Sequence, residues 1–208
     1  MKETVIFVHG LWMPGHEMTL LRQRVKKCGY NVTQFSYPSM RFNTRVNAKR
    51  LNTFAAGIRA DKVHFVGHSL GGLVIRWLFH DYPDQKPGRV VTLGTPHQGS
   101  QVAKAISQHP FGRRLLGSST ECGLLGDMPP WSGDRDLGVI AGTHNMGLGV
   151  LTAGLQDPAD GVVAEAETHL PGMTDHITLP LFHFGLMVSK LAAQQICAFL
   201  KSGKFTHQ

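Results

Sequence analysis

Val63-His64-Phe65-Val66 runs directly into Gly67-His68-Ser69-Leu70-Gly71-Gly72. A short apolar run ended by glycine suits a strand buried on both faces of a sheet. The residues that follow, Gly71 to Tyr82 with Pro83 as a stop, read as a helix. A turn this tight leaves no space for bulky side chains two positions before and two after the serine. Gly67 and Gly71 meet that need, because glycine has no Cβ. Such a turn exposes the Ser69 hydroxyl over a cleft and aims the positive end of the next helix at the same place.

The same alternation of strand and helix continues along the chain. Thr4-Val5-Ile6-Phe7-Val8, residues 31–37, Val90-Val91-Thr92-Leu93, residues 137–141 and 176–179 read as further strands. Residues 17–28, 44–59 and 186–200 read as helices, the first on the 3 and 4 spacing of Met18, Leu21 and Val25, the second on Val46, Leu51, Phe54 and Ile58. Repeated βα units predict an α/β fold, a three-layer sandwich with a mostly parallel sheet of about six strands, in one domain over residues 1–208. In such sheets ligands bind beyond the carboxyl ends of the strands. His9-Gly10-Leu11, Ser69 and Thr95-Pro96-His97 all fall at such ends. Two long stretches, 98–135 and 143–158, break the alternation, and loops of that length are commonly functional or mobile. The apolar residues of 115–131 read either as a lid-like insertion within 101–135 or as an ordinary helix packed on the sheet.

Composition excludes several classes. Hydrophobic residues make up 42% and charged residues 17%, a globular balance. No apolar run approaches the ~20 residues that cross a bilayer. The chain enters its first strand at once, leaving no room for a signal peptide, so a cytoplasmic location is expected unless a leader precedes this sequence. Cys28, Cys122 and Cys197 are widely spaced and odd in number, which predicts reduced thiols, without a disulfide framework or structural zinc. The formal charge of +7 permits contact with an anionic lipid surface. Its basic clusters carry no interleaved aromatics and no nucleic-acid motif, so no nucleic-acid partner is expected.

A serine nucleophile needs a base within reach and a carboxylate to orient that base. In this strand–elbow–helix setting the chain order is serine, acid, histidine. His169, His176, His183 and His207 compete for the base. His183 leads because it sits in the loop after the last strand, and His176 is second. For the acid, Asp157 and Asp160 are the candidates, with Asp175 and Glu165 behind them. An oxyanion hole needs two aimed donors: the Leu70 amide follows the serine, and the Leu11 amide lies in the loop after the first strand. Trp12 and His97 are expected to line the substrate site, although His97, like His9, also suits a role in fixing its own loop.

Val8-His9-Gly10, Gly67-His68-Ser69-Leu70-Gly71-Gly72 and Gly94-Thr95-Pro96-His97-Gln98-Gly99-Ser100 together resemble the α/β-hydrolase superfamily, in particular its small lipases and esterases. Asp160-Gly161-Val162-Val163 is similar to that superfamily's acid loop, and His183-Phe184-Gly185-Leu186 to its His-x-Gly-Leu segment. The resemblance implies Ser69 as nucleophile, Asp160 as acid and His183 as base in a minimal version of the fold that begins at the superfamily's third strand. It further implies hydrolysis of a small-molecule or lipid carboxylic ester through an acyl-enzyme, with no cofactor and no metal. A thioesterase or amidase would use the same residues, and a hydrolase-like binding protein is the reading from another class.

Overall fold

The computed structural model describes residues 2–132, 134–146, 155 and 158–207. Six strands, β1 (Glu3–Val8), β2 (Asn31–Phe35), β3 (Lys62–His68), β4 (Val90–Leu93), β5 (Leu137–Gly142) and β6 (Asp175–Leu179), form one sheet in the order β2-β1-β3-β4-β5-β6. Every neighbouring pair is parallel. The strand order reverses at β1, whose successor lies on one side and β3 on the other. The crevice at the carboxyl ends of β1 and β3 is therefore where a ligand site is expected.

Side chains alternate across the sheet, as the period of two requires. Val5 and Phe7 of β1 pack into one core with Val66, Val91, Leu93 and Ile140. Ile6 and Val8 pack into the other with Phe35, Phe65 and Val139. Both faces are covered, which is why these strands read as unbroken apolar runs. Helices α1 (Thr19–Lys26) and α7 (Lys190–Ser202) cover the first face through Leu21, Val25, Ile196 and Phe199. Helices α2 (Thr44–Ala56) and α3 (Leu70–Asp81) cover the second through Ala48, Leu51, Val74 and Leu78.

Some expectations change in detail. The buried stripe of α2 is Thr44, Ala48, Leu51 and Ala55, so Val46 faces outward and is 42% exposed. Asn43 caps this helix, its side-chain oxygen accepting the Val46 amide at 2.9 Å. The closing helix is two pieces, α6 (Gly185–Val188) and α7, because Ser189 is extended and caps α7 with its hydroxyl. Within 101–135 the chain forms two short helices, α4 (Gln101–Ser107) and α5 (Pro110–Leu116). Leu116 and Leu124 of this stretch pack on Leu70 and Leu73 of α3.

The cysteine expectation is overturned. Cys28 and Cys197 form a disulfide across 169 residues of chain, with Cα atoms 6.3 Å apart, and Cys122 alone is free. The cause is tertiary: α1 and α7 lie side by side on one face of the sheet, a proximity that cysteine spacing cannot reveal. Disulfides persist in oxidising compartments, so the pairing runs counter to the cytoplasmic expectation. No described helix is long and apolar enough to cross a membrane.

Candidate active site

The end of β3 delivers Ser69 in a conformation that few non-glycine residues adopt, with φ 52° and ψ −123°. Holding such a backbone costs about 1–3 kcal/mol, and its surroundings over-determine it. The Ser69 amide donates to the Leu93 carbonyl at 2.9 Å, and the Ser69 carbonyl accepts the Thr95 hydroxyl at 2.9 Å. The glycines around it are required by space. A Cβ at Gly67 would lie 2.7 Å from the Gly72 nitrogen, one at Gly71 would strike the Val8 carbonyl, and one at Gly72 would strike Thr95.

Asp160 and His183 meet. The His183 Nδ1 lies 2.6 Å from Asp160 Oδ2, in a pair that is almost wholly buried. The other carboxylate oxygen, Oδ1, accepts the amides of Val162 at 2.9 Å and Val163 at 2.7 Å. Gly161, at φ 93°, makes that tight loop possible, which explains why glycine follows the acid. The backbone carries a second link, the His183 amide donating to the Asp160 carbonyl at 2.9 Å. Two further glycines form the floor. A Cβ on Gly94, at φ +52°, would lie 2.9 Å from Asp160 Oδ2 and 3.0 Å from His183 Nδ1, and one on Gly142 would lie 2.7 Å from Asp160 Cβ.

His68 joins this pair to the elbow. Its Nε2 donates to the His183 carbonyl at 3.1 Å, and the two rings lie 4.6 Å apart between centroids. Burial, then the neighbouring His183, holds the His68 imidazole well below its ordinary pKa, so it is neutral. Gly10 of the loop after β1 comes equally close on the other side, a Cβ there lying 3.2 Å from Ser69 Cβ. The Leu70 amide opens α3 and so has no partner within the helix. Leu11, partly buried, packs beside Leu70 and Leu73.

His9 fixes its own loop. It stacks on Tyr37 at 4.3 Å, donates from Nδ1 to the Gly10 carbonyl at 2.9 Å and accepts the Tyr37 amide at 3.1 Å. His97 is buried, with Nε2 3.1 Å from the Thr92 hydroxyl. Burial and the Arg76 charge lower its pKa to about 3. The ring is thus enclosed within the loop after β4. Trp12, by contrast, is 50% exposed, with its indole N–H donating to the Leu115 carbonyl at 2.9 Å. Phe182 and Phe184, on either side of His183 in the chain, are also exposed.

The remaining described candidates are engaged elsewhere. Asp175 accepts from His207 at 2.9 Å and from the Phe205 amide at 2.8 Å. His176 sits in the first half of β6, away from the strand's carboxyl end, close to Glu165 and His169. Asp157 lies outside the described residues.

Two residues escaped sequence reasoning. The buried Glu167 carboxylate accepts the Gln101 amide at 2.6 Å and the Ala164 amide at 2.9 Å, joining the acid loop to the start of α4. Burial raises its pKa against the lowering effect of these two bonds. The buried Arg76 guanidinium donates to the carbonyls of Pro129 at 2.6 Å and His97 at 2.7 Å, and burial lowers its pKa to about 10. Neither contact leaves a local sequence signature.

Comparison with known proteins agrees with the fold. A family model described as palmitoyl protein thioesterase matches residues 4–124. The mature form of lipase BlEst2 from Bacillus licheniformis superposes with a TM-score of 0.76 at 22% identity, over 97% of this chain and 92% of that one. A pyrethroid hydrolase from Sphingobium faniae superposes with a TM-score of 0.66 at 15% identity, over 97% of this chain and 98% of that one. A metagenomic carboxyl esterase gives 0.70 at 18% identity over 86% of this chain, which spans 64% of that protein. The fold is that of the α/β-hydrolases.

Proposed function

The chain belongs to the palmitoyl protein thioesterase family, and from that membership and its site we propose that it is a serine hydrolase cleaving acyl esters through an acyl-enzyme. One observation carries the reading: a buried carboxylate–imidazole pair at 2.6 Å whose imidazole packs against His68, the residue before a serine held on a strained elbow. Asp160 keeps the proton of His183 on Nδ1, leaving Nε2 free to take the Ser69 proton as Oγ attacks the substrate carbonyl. The Leu11 and Leu70 amides hold the developing oxyanion. His183 then protonates the leaving group, and water repeats the sequence on the acyl-enzyme. Each oxyanion donor is worth about 3 kcal/mol of barrier.

Exposed Trp12, Phe182 and Phe184 favour an apolar acyl group. Residues 101–135 act as a lid-like cover for it within the single domain, and the net basic charge favours contact with anionic lipid. A thioester substrate is the second reading, favoured by the family match. A binding protein without turnover would have no use for an acid locked to a base in this manner.

The test is a series of p-nitrophenyl esters from acetate to palmitate beside acyl-coenzyme A thioesters, with Ser69→Ala as the blank. Ester turnover that vanishes in the variant is expected. Wild-type turnover in Ser69→Ala rejects the assignment, a rate that falls steadily beyond acetate rejects a lipase, and a higher kcat/KM on thioesters assigns the family's activity to this chain.

A further inference from the structure

A group of side chains of metal-ligating type lies in the stretch between Asp160 and His183. Glu165 Oε1 is 2.6 Å from His169 Nε2 and 3.6 Å from His176 Nε2. One donor atom from each of the three lies within 4.8 Å of the others. Glu165 opens a 3-10 turn (Glu165–Thr168), His169 follows that turn, and His176 is the second residue of β6. All three are partly buried, His169 being the most open with 41% of its side chain exposed. A groove of about 440 Å³ that includes His176 runs along this edge of the sheet.

We propose that Glu165, His169 and His176 form a binding site for a divalent transition metal, with zinc the ion best matched to the donors. Two imidazole nitrogens and one carboxylate oxygen suit zinc, whereas calcium and magnesium prefer all-oxygen sets. Tetrahedral bonds of about 2.0–2.1 Å place donor atoms roughly 3.3 Å apart. The His176–Glu165 separation of 3.6 Å is already near that value, and the His169–Glu165 contact of 2.6 Å opens to it as the two side chains turn toward a shared ion. The imidazoles stack at 4.3 Å with 21° between planes, so the rings fan apart about their Cβ–Cγ bonds for both lone pairs to converge. The exposure of His169 gives it room to do so. The Thr168 hydroxyl donates to the Glu165 carbonyl at 2.7 Å and lies 3.1 Å from His176 Nε2, a contact that the nitrogen gives up when its lone pair turns to the ion.

The site lies outside the proposed catalytic machinery and is tied to it through the chain. Glu165 follows the acid loop and His176 lies near the start of the strand that ends before His183, so the metal clips together two points of the segment that joins acid to base. The test uses the full chain with its disulfide intact, stripped with chelator and titrated with zinc chloride by calorimetry. One zinc per chain is expected, with affinity reduced at least roughly tenfold in Glu165→Gln and in His176→Ala. Cys122→Ser, His207→Ala and Ser69→Ala should leave binding unchanged, the last separating this site from the catalytic reading. Zinc should also raise the unfolding midpoint of the wild type and leave that of a His169→Ala/His176→Ala double variant unmoved. Absence of stoichiometric binding, or binding that survives the double variant, overturns the proposal.

Discussion

Replacing the acid by its amide, Asp160→Asn, separates the role of charge and tautomer from that of shape. In the native loop Oδ1 accepts two backbone amides, from Val162 at 2.9 Å and Val163 at 2.7 Å, while Oδ2 faces His183 Nδ1. The introduced amide has one acceptor and one donor end. Turning the donor toward Val162 and Val163 would leave two buried N–H groups without partners, at about 1–3 kcal/mol each. The carboxamide oxygen therefore stays on the loop, and its NH2 points at Nδ1. The imidazole must then accept at Nδ1 and carry its proton on Nε2, where it cannot take the Ser69 proton. The same change in a serine protease triad lowers kcat by about 10⁴, and we expect a fall of about 10³–10⁴ here, or about 4–5.5 kcal/mol of barrier. KM should change little, since substrate does not touch Asp160. The assay is steady-state hydrolysis of p-nitrophenyl butyrate, with urea unfolding to show that the variant is folded. A folded variant with kcat within tenfold of wild type would refute the reasoning.

Other outcomes are equally specific. Gly94→Ala adds a Cβ 2.9 Å from Asp160 Oδ2 at a backbone φ of +52°; displacing the pair by a fraction of an ångström should cut kcat by about 10–100-fold with KM nearly constant, which the same assay reads. Cys28→Ser or Cys197→Ser opens a bridge across 169 residues and should cost about 2–4 kcal/mol in urea unfolding, whereas Cys122→Ser should cost much less. His97, its pKa lowered from 6.5 to about 3 in the folded chain, binds its proton more readily when unfolded. Its contribution is therefore fully present above about pH 6.5 and falls by about 1.4 kcal/mol per pH unit below it, toward pH 3. His97→Asn should make the fall in unfolding free energy between pH 6 and pH 4.5 shallower by one proton.

The inner strands were legible because each is buried on both faces and so announces itself as an apolar run, as Thr4 to Val8 and Val63 to Val66 do. The elbow was legible because Gly67, Gly71 and Gly72 each stand where a Cβ would strike backbone or Thr95. Asp160 could not be separated from Asp157 by residue type alone. What distinguishes it is a loop in which Gly161 turns two amides back onto its carboxylate. The contacts of His68 and Arg76, and that of Glu167 to Gln101, run to backbone atoms far along the chain, and a backbone carbonyl or amide leaves no trace in residue identity. The Cys28–Cys197 bond was missed for the same reason, since it depends on which helices share a face. Val46 misled because an apolar residue near a helix start matches the periodic pattern whether or not its side of the helix is buried.

The central claim is that Ser69 is a nucleophile activated by His183. Labelling with a fluorophosphonate probe, followed by mass mapping of the modified peptide, tests it most directly. The expected result is one adduct per chain, on Ser69, with the labelling rate falling at least a thousandfold, on the order of 4 kcal/mol, in His183→Ala. An adduct on another residue, or a rate that His183→Ala leaves unchanged, would contradict it.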